Sequence, residues 1–346
     1  MKVLIIGGTG TISEPIARKL ADDSRVELYL VKRGIREDGL PEQVIRIQGD
    51  VRSNDPHALA ELDAKLAAAA DPVFDCAISF VVFDEEDAKR TYSLLKGRTR
   101  QFIYISTNVV LNHELTCNIN EDCETGNIYS QYGIHKRLAE EFFQSVSGED
   151  FPLTVVRPSH TYSKDRLPLG IKGSSSWSVV SRMLRGKPVI VHGDGQGIWP
   201  NTHATDFAEW FCPLVGNQEA IGETFQIMNP QPITWDGIYR TLAEELGVEY
   251  KPVYISTYLL AASKVYNIHD DILGDKAYSN IFDISKIRSF NPGFEPKVDT
   301  RQGVRMYLDY MKDHPEKVEE DPRFDAWCDQ VIEKYQKLAE EFMTDI

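Results

Sequence analysis

Residues 2–13 read Lys2-Val-Leu-Ile-Ile-Gly-Gly-Thr-Gly-Thr-Ile-Ser13, and this stretch decides the fold. Lys2 to Ile6 is a short, mostly apolar run closed by Gly7, the pattern of a parallel strand buried on both faces. Beyond the glycines, Ile12, Ile16, Ala17, Leu20 and Ala21 follow a helical period, with Pro15 tolerated in the first turn. Glycine is required where a backbone turns tightly and where it must approach a pyrophosphate, whose charge then meets the positive end of the following helix. A glycine-rich loop between an apolar strand and a helix, starting at residue 7, therefore marks Gly7, Gly10, Thr11 and Ile12 as dinucleotide-binding.

Working outward, strands are expected over residues 26–31, 44–48, 74–82, 101–106 and 153–156. Helices are expected over 59–70, 85–95 and 132–146 between them. Such alternation implies a doubly wound parallel α/β sheet covered on both faces. After Arg157-Pro158 the texture changes to a Gly-, Ser- and Pro-rich loop over 163–176. A helix over 178–185, a strand over 188–192, further helices and a terminal amphipathic helix over 325–342 follow. The expected division is 1–158 for the cofactor domain and 159–346 for a smaller, mostly helical substrate region. A strand near 225–228 is expected to return to the first sheet.

The 346 residues carry 53 acids against 38 bases, a net charge of −15. That argues against partners held by phosphate-backbone electrostatics, so neither nucleic acid nor an anionic membrane is expected. The acids concentrate at the end of the chain, far from the glycine loop. Cys76, Cys117, Cys123, Cys212 and Cys328 are scattered, with no Cys-x-x-Cys pair, and the near neighbours Cys117 and Cys123 read as incidental. No metal site and no disulfide framework are expected, and a reducing, cytoplasmic compartment fits. The apolar run at the start is too short for a signal-peptide core.

The loop Gly7-Gly8-Thr9-Gly10-Thr11-Ile12-Ser13 resembles the G-x-x-G-x-x-G of extended and atypical short-chain dehydrogenases/reductases, the NAD-dependent epimerase/dehydratase group, with Ser13 in place of the third glycine. Gly49-Asp50-Val51-Arg52 is similar to the family's adenine-binding stretch, which implies roles for Asp50 and Val51. NAD-selective members carry an acid at the end of the second strand. Here Lys32 and Arg33 stand there, able to pair with a 2′-phosphate, so NAD and NADP both remain open. Phe102-Ile-Tyr-Ile-Ser-Thr-Asn-Val-Val110 resembles the strand that ends in the active-site Ser/Thr, here Thr107, with Asn108 beside it facing substrate. Tyr132-Gly-Ile-His-Lys136 is the Tyr-x-x-x-Lys motif, and its two functional residues share one helix face. A free phenol is a weak base at neutral pH; a neighbouring ammonium lowers its pKa, so Tyr132 is expected to exchange a substrate proton while Thr107 orients the hydroxyl. The resemblance implies that Lys136 also holds the nicotinamide ribose, that Pro158 and Ser159 sit near the ring, and that His160 touches substrate.

Departures from the family are informative. Trp199 occupies the position where UDP-sugar epimerases grip the diphosphate with arginine, offering a stacking face in its place. The second phosphate-binding arginine, upstream of Asp283-Ile-Ser-Lys286, is missing. Both point away from a standard nucleotide-diphosphate sugar. Dehydratases carry Asp-Glu after the threonine; Asn108 and Val109 stand here, which disfavours dehydration by that route. The segment between residues 80 and 106 is shorter than in extended members, and it trims a helix used for dimer contact, although the resemblance still allows a homodimer. The implied function is NAD(P)-dependent oxidation, reduction or epimerisation at a secondary alcohol of a sugar-like small molecule. The alternatives are a carbonyl reductase and a non-catalytic NADP- or RNA-binding regulator of the same fold.

Overall fold

A computed structural model describes residues 1–34, 38–114 and 118–344; Cys117 lies outside the described residues. The central sheet has seven strands: β1 Lys2–Ile6, β2 Glu27–Lys32, β3 Ile45–Gln48, β4 Cys76–Ser79, β5 Phe102–Ile105, then, after a short β6 Asn118–Ile119, β7 Leu153–Pro158, and finally β11 Thr224–Ile227. Their order is β11-β7-β5-β4-β1-β2-β3, with every pair parallel. In β1, Val3 and Ile5 join the core on one face while Leu4 and Ile6 join the core on the other. The unbroken apolar run follows from this, because side chains alternate across a sheet and both sides are covered.

Helices α1 Ser13–Asp22, α2 Pro56–Ala69, α3 Glu85–Leu95 and α4 Gln131–Val146 lie between the first strands, and α2, α3 and α4 share one core beneath the sheet. The opposite core takes in α1 with α6 Ala204–Phe211 and α10 Ser285–Phe290. Thus the expected return of β11 is present, but the boundary near residue 158 is not a clean cut. Phe207, Trp210, Phe225 and Ile287 come from beyond it and pack on the cofactor sheet. A separate core holds the rest: α5 Trp177–Leu184, α7 Trp235–Leu246, α11 Thr300–Asp313 and α12 Pro322–Thr344, around the parallel pair β9 Val189–His192 and β12 Pro252–Ile255. No described helix is long and apolar enough to cross a membrane.

Candidate active site

The carboxyl ends of β1, β4, β5 and β7 meet where the strand order reverses between β1 and β4, the crevice in which such sheets bind ligands. Gly7 adopts a left-handed φ of +84°, and a Cβ there would lie 2.4 Å from Val81 Cγ1. Only glycine lets the backbone turn this closely under the β4 loop. Ser13, in place of the third glycine, is buried; its hydroxyl accepts the Gly10 amide at 2.8 Å and so braces the loop. No side chain caps α1, which begins at Ser13 after Ile12. Glu14 gives its amide to the Gly10 carbonyl at 2.9 Å and Pro15 has none, so an anion at the helix end would be met by the amides ahead of Glu14. The loop and helix start fit a pyrophosphate on these grounds. An open cleft of about 1360 Å³ runs past Thr9, Gly10 and Thr11 toward Ser163 and His203, but its walls do not include Tyr132.

After β3, Val51 is buried, and the Asp50 carboxylate accepts the Arg52 amide at 2.9 Å, fixing the turn. Lys32 is not a free cation: Asp38, six residues on, pairs with it at 2.6 Å and with Arg46 at 2.8 Å. The Arg46 and Lys32 pairings hold the Asp38 carboxyl far below the usual range against the cost of burial. An acid does reach the end of β2, supplied by the following loop and already neutralised. Arg33 is exposed.

On the reaction side, Thr107 opens a short 3-10 turn, and its Oγ1 accepts the Val109 amide at 3.2 Å. Tyr132 and Lys136 lie on α4, whose first turn is capped by Ser130. The helix presses so closely on this turn that a Cβ on Gly133 would stand 2.4 Å from the Val109 carbonyl oxygen. The Tyr132 phenol lies near enough to the Thr107 hydroxyl for that group to favour its ionised form. Lys136 is buried and donates to the carbonyls of Val82 and Ile105, both at 2.6 Å. Burial lowers its pKa to about 7, with Glu140 and Asp87 opposing. One turn further, Glu140 accepts from Ser106 at 2.6 Å and pairs with buried Arg157 at 2.5 Å, tying α4 to β5 and β7.

One expectation needs correction. Although Tyr132 is 46% exposed overall, desolvation of its phenol outweighs Thr107 and Arg166 and raises it above its ordinary value, and Asp275 adds to the rise. Lys136 gives two of its three donors to carbonyls and is not among the groups that lower the phenol. Trp199 also departs from expectation. It is fully buried and stacked on Trp235 at 5.2 Å, so its ring face is given to the core and not to a substrate. His160 stands beside both tryptophans, 6.3 Å from Trp199 and 6.0 Å from Trp235, with Nδ1 buried and unpartnered; burial first, then nearby cations, hold it neutral. Ser159 Oγ and Asn108 Nδ2 are likewise buried without partners.

Sequence reading missed Asp275. It sits on a π-turn, Ile272–Lys276, closed by the Ala277 amide on the Ile272 carbonyl at 2.8 Å. Such turns recur at functional sites. Asn127 Nδ2 donates to the Gly274 carbonyl at 2.5 Å, and a Cβ on Gly274 would lie 2.5 Å from Ser130 Cβ, so the turn is docked on the start of α4. This carries the Asp275 carboxyl toward Asn108 and Tyr132, with Oδ1 buried and unpartnered. Burial, reinforced by Asp271 against Lys276, raises it to about 8. The site therefore pairs a phenol with a carboxylic acid that is mostly protonated at neutral pH.

The class defined by this sheet and crevice is confirmed by comparison: the chain belongs to the NAD dependent epimerase/dehydratase family, whose model matches residues 3–227. It is 22% identical over 302 residues to 2'-dehydrokanamycin reductase of Streptomyces kanamyceticus, covering 86% of this chain and 81% of that protein. It is 24% identical over 271 residues to the chloroplast stem-loop binding protein of 41 kDa b of Arabidopsis thaliana, covering 72% of this chain and 66% of that protein. The fold matches UDP-glucuronic acid 4-epimerase from Bacillus cereus, solved with UDP-glucuronic acid and NAD, with a TM-score of 0.69 at 18% identity over 90% of this chain and 99% of that one.

Proposed function

We propose that the chain carries out nicotinamide-dependent redox chemistry at a secondary alcohol of a sugar-like substrate, as an epimerase or as a dehydrogenase/reductase. The observation that supports this best is the meeting of the Thr107 hydroxyl and the Tyr132 phenol above buried Lys136, at the edge of a glycine loop fit for a pyrophosphate. Gly7, Gly10, Thr11 and Ile12 would hold the pyrophosphate, Asp50 and Val51 the adenine, and Lys136, Pro158 and Ser159 the nicotinamide half. When bound, the nicotinamide supplies the hydride acceptor or donor at the carbinol carbon. Tyr132 Oη then holds or returns the hydroxyl proton, and Thr107 Oγ1 orients the oxygen for that transfer. The raised phenol means that its protonated form dominates in the protein alone, the form suited to donating a proton to a carbonyl. A cationic ring beside it would favour the phenolate needed for the opposite direction.

The same neighbourhood speaks against a non-catalytic, nucleic-acid-binding role, since those side chains are intact and the chain is strongly acidic. A Tyr132→Phe variant tests the reading. Cofactor binding should persist while turnover, followed through nicotinamide absorbance or sugar exchange, falls about 10²–10⁴-fold; undiminished turnover would remove Tyr132 from the mechanism. Mass spectrometry of material released on denaturation separates the branches. Retained NAD favours the epimerase, an empty site with NADPH-dependent turnover favours the reductase, and recovered RNA would overturn both.

A further inference from the structure

The cations that the family places on a distal diphosphate are missing here, yet positive charge is concentrated elsewhere in the same site. Directly after His160 and the short strand β8 Thr161–Tyr162, the chain makes a tight turn in which Ser163 and Arg166 exchange both backbone hydrogen bonds at 3.1 Å. The loop continues to Gly170, where a Cβ would lie 2.6 Å from His192 Cε1, and then to Lys172. Lys276, on the π-turn, donates to the Gly170 carbonyl at 3.2 Å, and its own carbonyl meets His192 Nε2 at 3.1 Å. Loop and π-turn are thus stitched together over His160. Arg166, Lys172 and Lys276 all lie near enough to act electrostatically on His160, and Arg166 acts on Tyr132 as well.

These charges are poorly answered from within. Lys276 pairs with Asp271. Arg166 and Lys172 make no ion pair among the described residues. Lys172 is half-buried and repelled by both other cations, with Asp271 the one acid attracting it. Asp165, next to Arg166 in the chain, accepts from the Ser163 hydroxyl at 2.5 Å, and Asp275 faces Asn108 and Tyr132. Near this excess stand the partnerless Ser159 Oγ and His160 Nδ1, while Asn108 is turned toward Asp275. An exposed Arg166 and a half-buried Lys172, both without an ion pair among the described residues, together with these orphaned polar atoms, amount to a half-built anion site.

We infer that the substrate carries negative charge on the sugar itself, as a carboxylate or phosphate ester close to the reacting carbon, received by Arg166 and Lys172 with Lys276 behind them. The inference rests on the redox reading of this crevice and narrows its substrate class. An arginine fork and an ammonium suit such a group, whereas an amino sugar would meet like charge. It also fits the buried Trp199, which leaves no cation for a nucleoside diphosphate at that position.

Calorimetric titration of the Tyr132→Phe protein, expected to bind without turning over, tests this with and without saturating NAD. The probes are D-glucuronate, glucose 6-phosphate, D-glucose, kanamycin A and UDP. At least one of the two anionic sugars should bind about tenfold or more tighter than D-glucose at low salt. That advantage should vanish in Arg166→Gln/Lys172→Gln, and kanamycin A should not bind. Which anion wins distinguishes carboxylate from phosphate. Equal affinity for D-glucose, tighter binding of kanamycin A, binding of UDP that ignores both substitutions, or no binding of either anion at millimolar concentration would each overturn the inference. Failure of the redox reading looks different, because NAD itself then does not bind while the ranking of sugars is still read on the free protein.

Discussion

At the scale of single residues, Asp275 alters the expected chemistry most. Its carboxyl faces Asn108 and pushes the Tyr132 phenol upward, so the two groups titrate as neighbours. In the proposed mechanism Tyr132 Oη accepts the substrate proton as an anion, and deprotonation of Asp275, near pH 8, places a negative charge beside it. Alcohol oxidation should therefore rise with pH along a limb displaced to higher pH by this carboxylate. Asp275→Asn removes the charge and keeps the shape. The midpoint of that limb is expected to fall by about half a pH unit or more, read from kcat against pH in the oxidative direction. An unmoved midpoint would mean that the two groups do not communicate. A merely structural role for Asp275 would lower activity at all pH values alike.

At the scale of elements, α4 is the piece on which the site depends, and it is held from two directions. Buried Glu140 joins it to Ser106 and Arg157, while Gly133 lets its first turn touch the loop after β5. Gly133→Ala puts a methyl group against the Val109 carbonyl and must push the helix outward. Overpacking of this kind costs about 1–3 kcal/mol. Displacing Tyr132 from Thr107 should lower kcat by about 10–100-fold. Gly148→Ala, where nothing lies within 4 Å, serves as the control in the same melting and turnover assays; equal behaviour of the two would refute the close contact. Elements with a repeated pattern were legible in the sequence for plain reasons. The strand before Gly7 is apolar throughout because both faces are covered, and α3 and α7 follow the helical period over their whole lengths. What resisted reading had no pattern to offer. A π-turn is one inserted residue within a short helical run, and the approach of Asp38 to Lys32 depends on how a loop folds back. Helix α11 begins on a capping box formed by Asp299 and Gln302. Trp199 misled because an aromatic side chain suits a stacking site and a core equally, and only the neighbouring Trp235 decides between them.

At the scale of the whole molecule, charge is distributed with purpose. Part of the acid excess in the terminal helix is spent on packing: Asp325 and Asp329 of α12 bind Arg182, itself buried, together with Lys187. Against burial, Lys187, Arg185 and Arg182 hold the Asp325 carboxyl at about 2. Histidines carry the larger consequence. Burial drives His113 and His160 down, and it takes His192 and His203 to about 4. An unfolded chain binds protons at these positions near pH 6.5 while the folded one still refuses them. The unfolded state thus holds more protons between about pH 6.5 and 4, and stability must fall as pH is lowered through that window. His192 and His203 should each contribute a loss on the order of 3 kcal/mol. Below about pH 4 the depressed Asp325 adds a second loss of the same sign, since its stabilisation disappears as pH falls from its unfolded value toward about 2. Urea midpoints measured at pH 7, 6, 5 and 4.5 should decline steadily. His192→Gln, which keeps a donor for the Lys276 carbonyl and cannot titrate, should flatten part of that decline. A midpoint constant from pH 7 to 4.5 would show that these rings are not buried neutral, and the cation cluster over His160 would then need a different account.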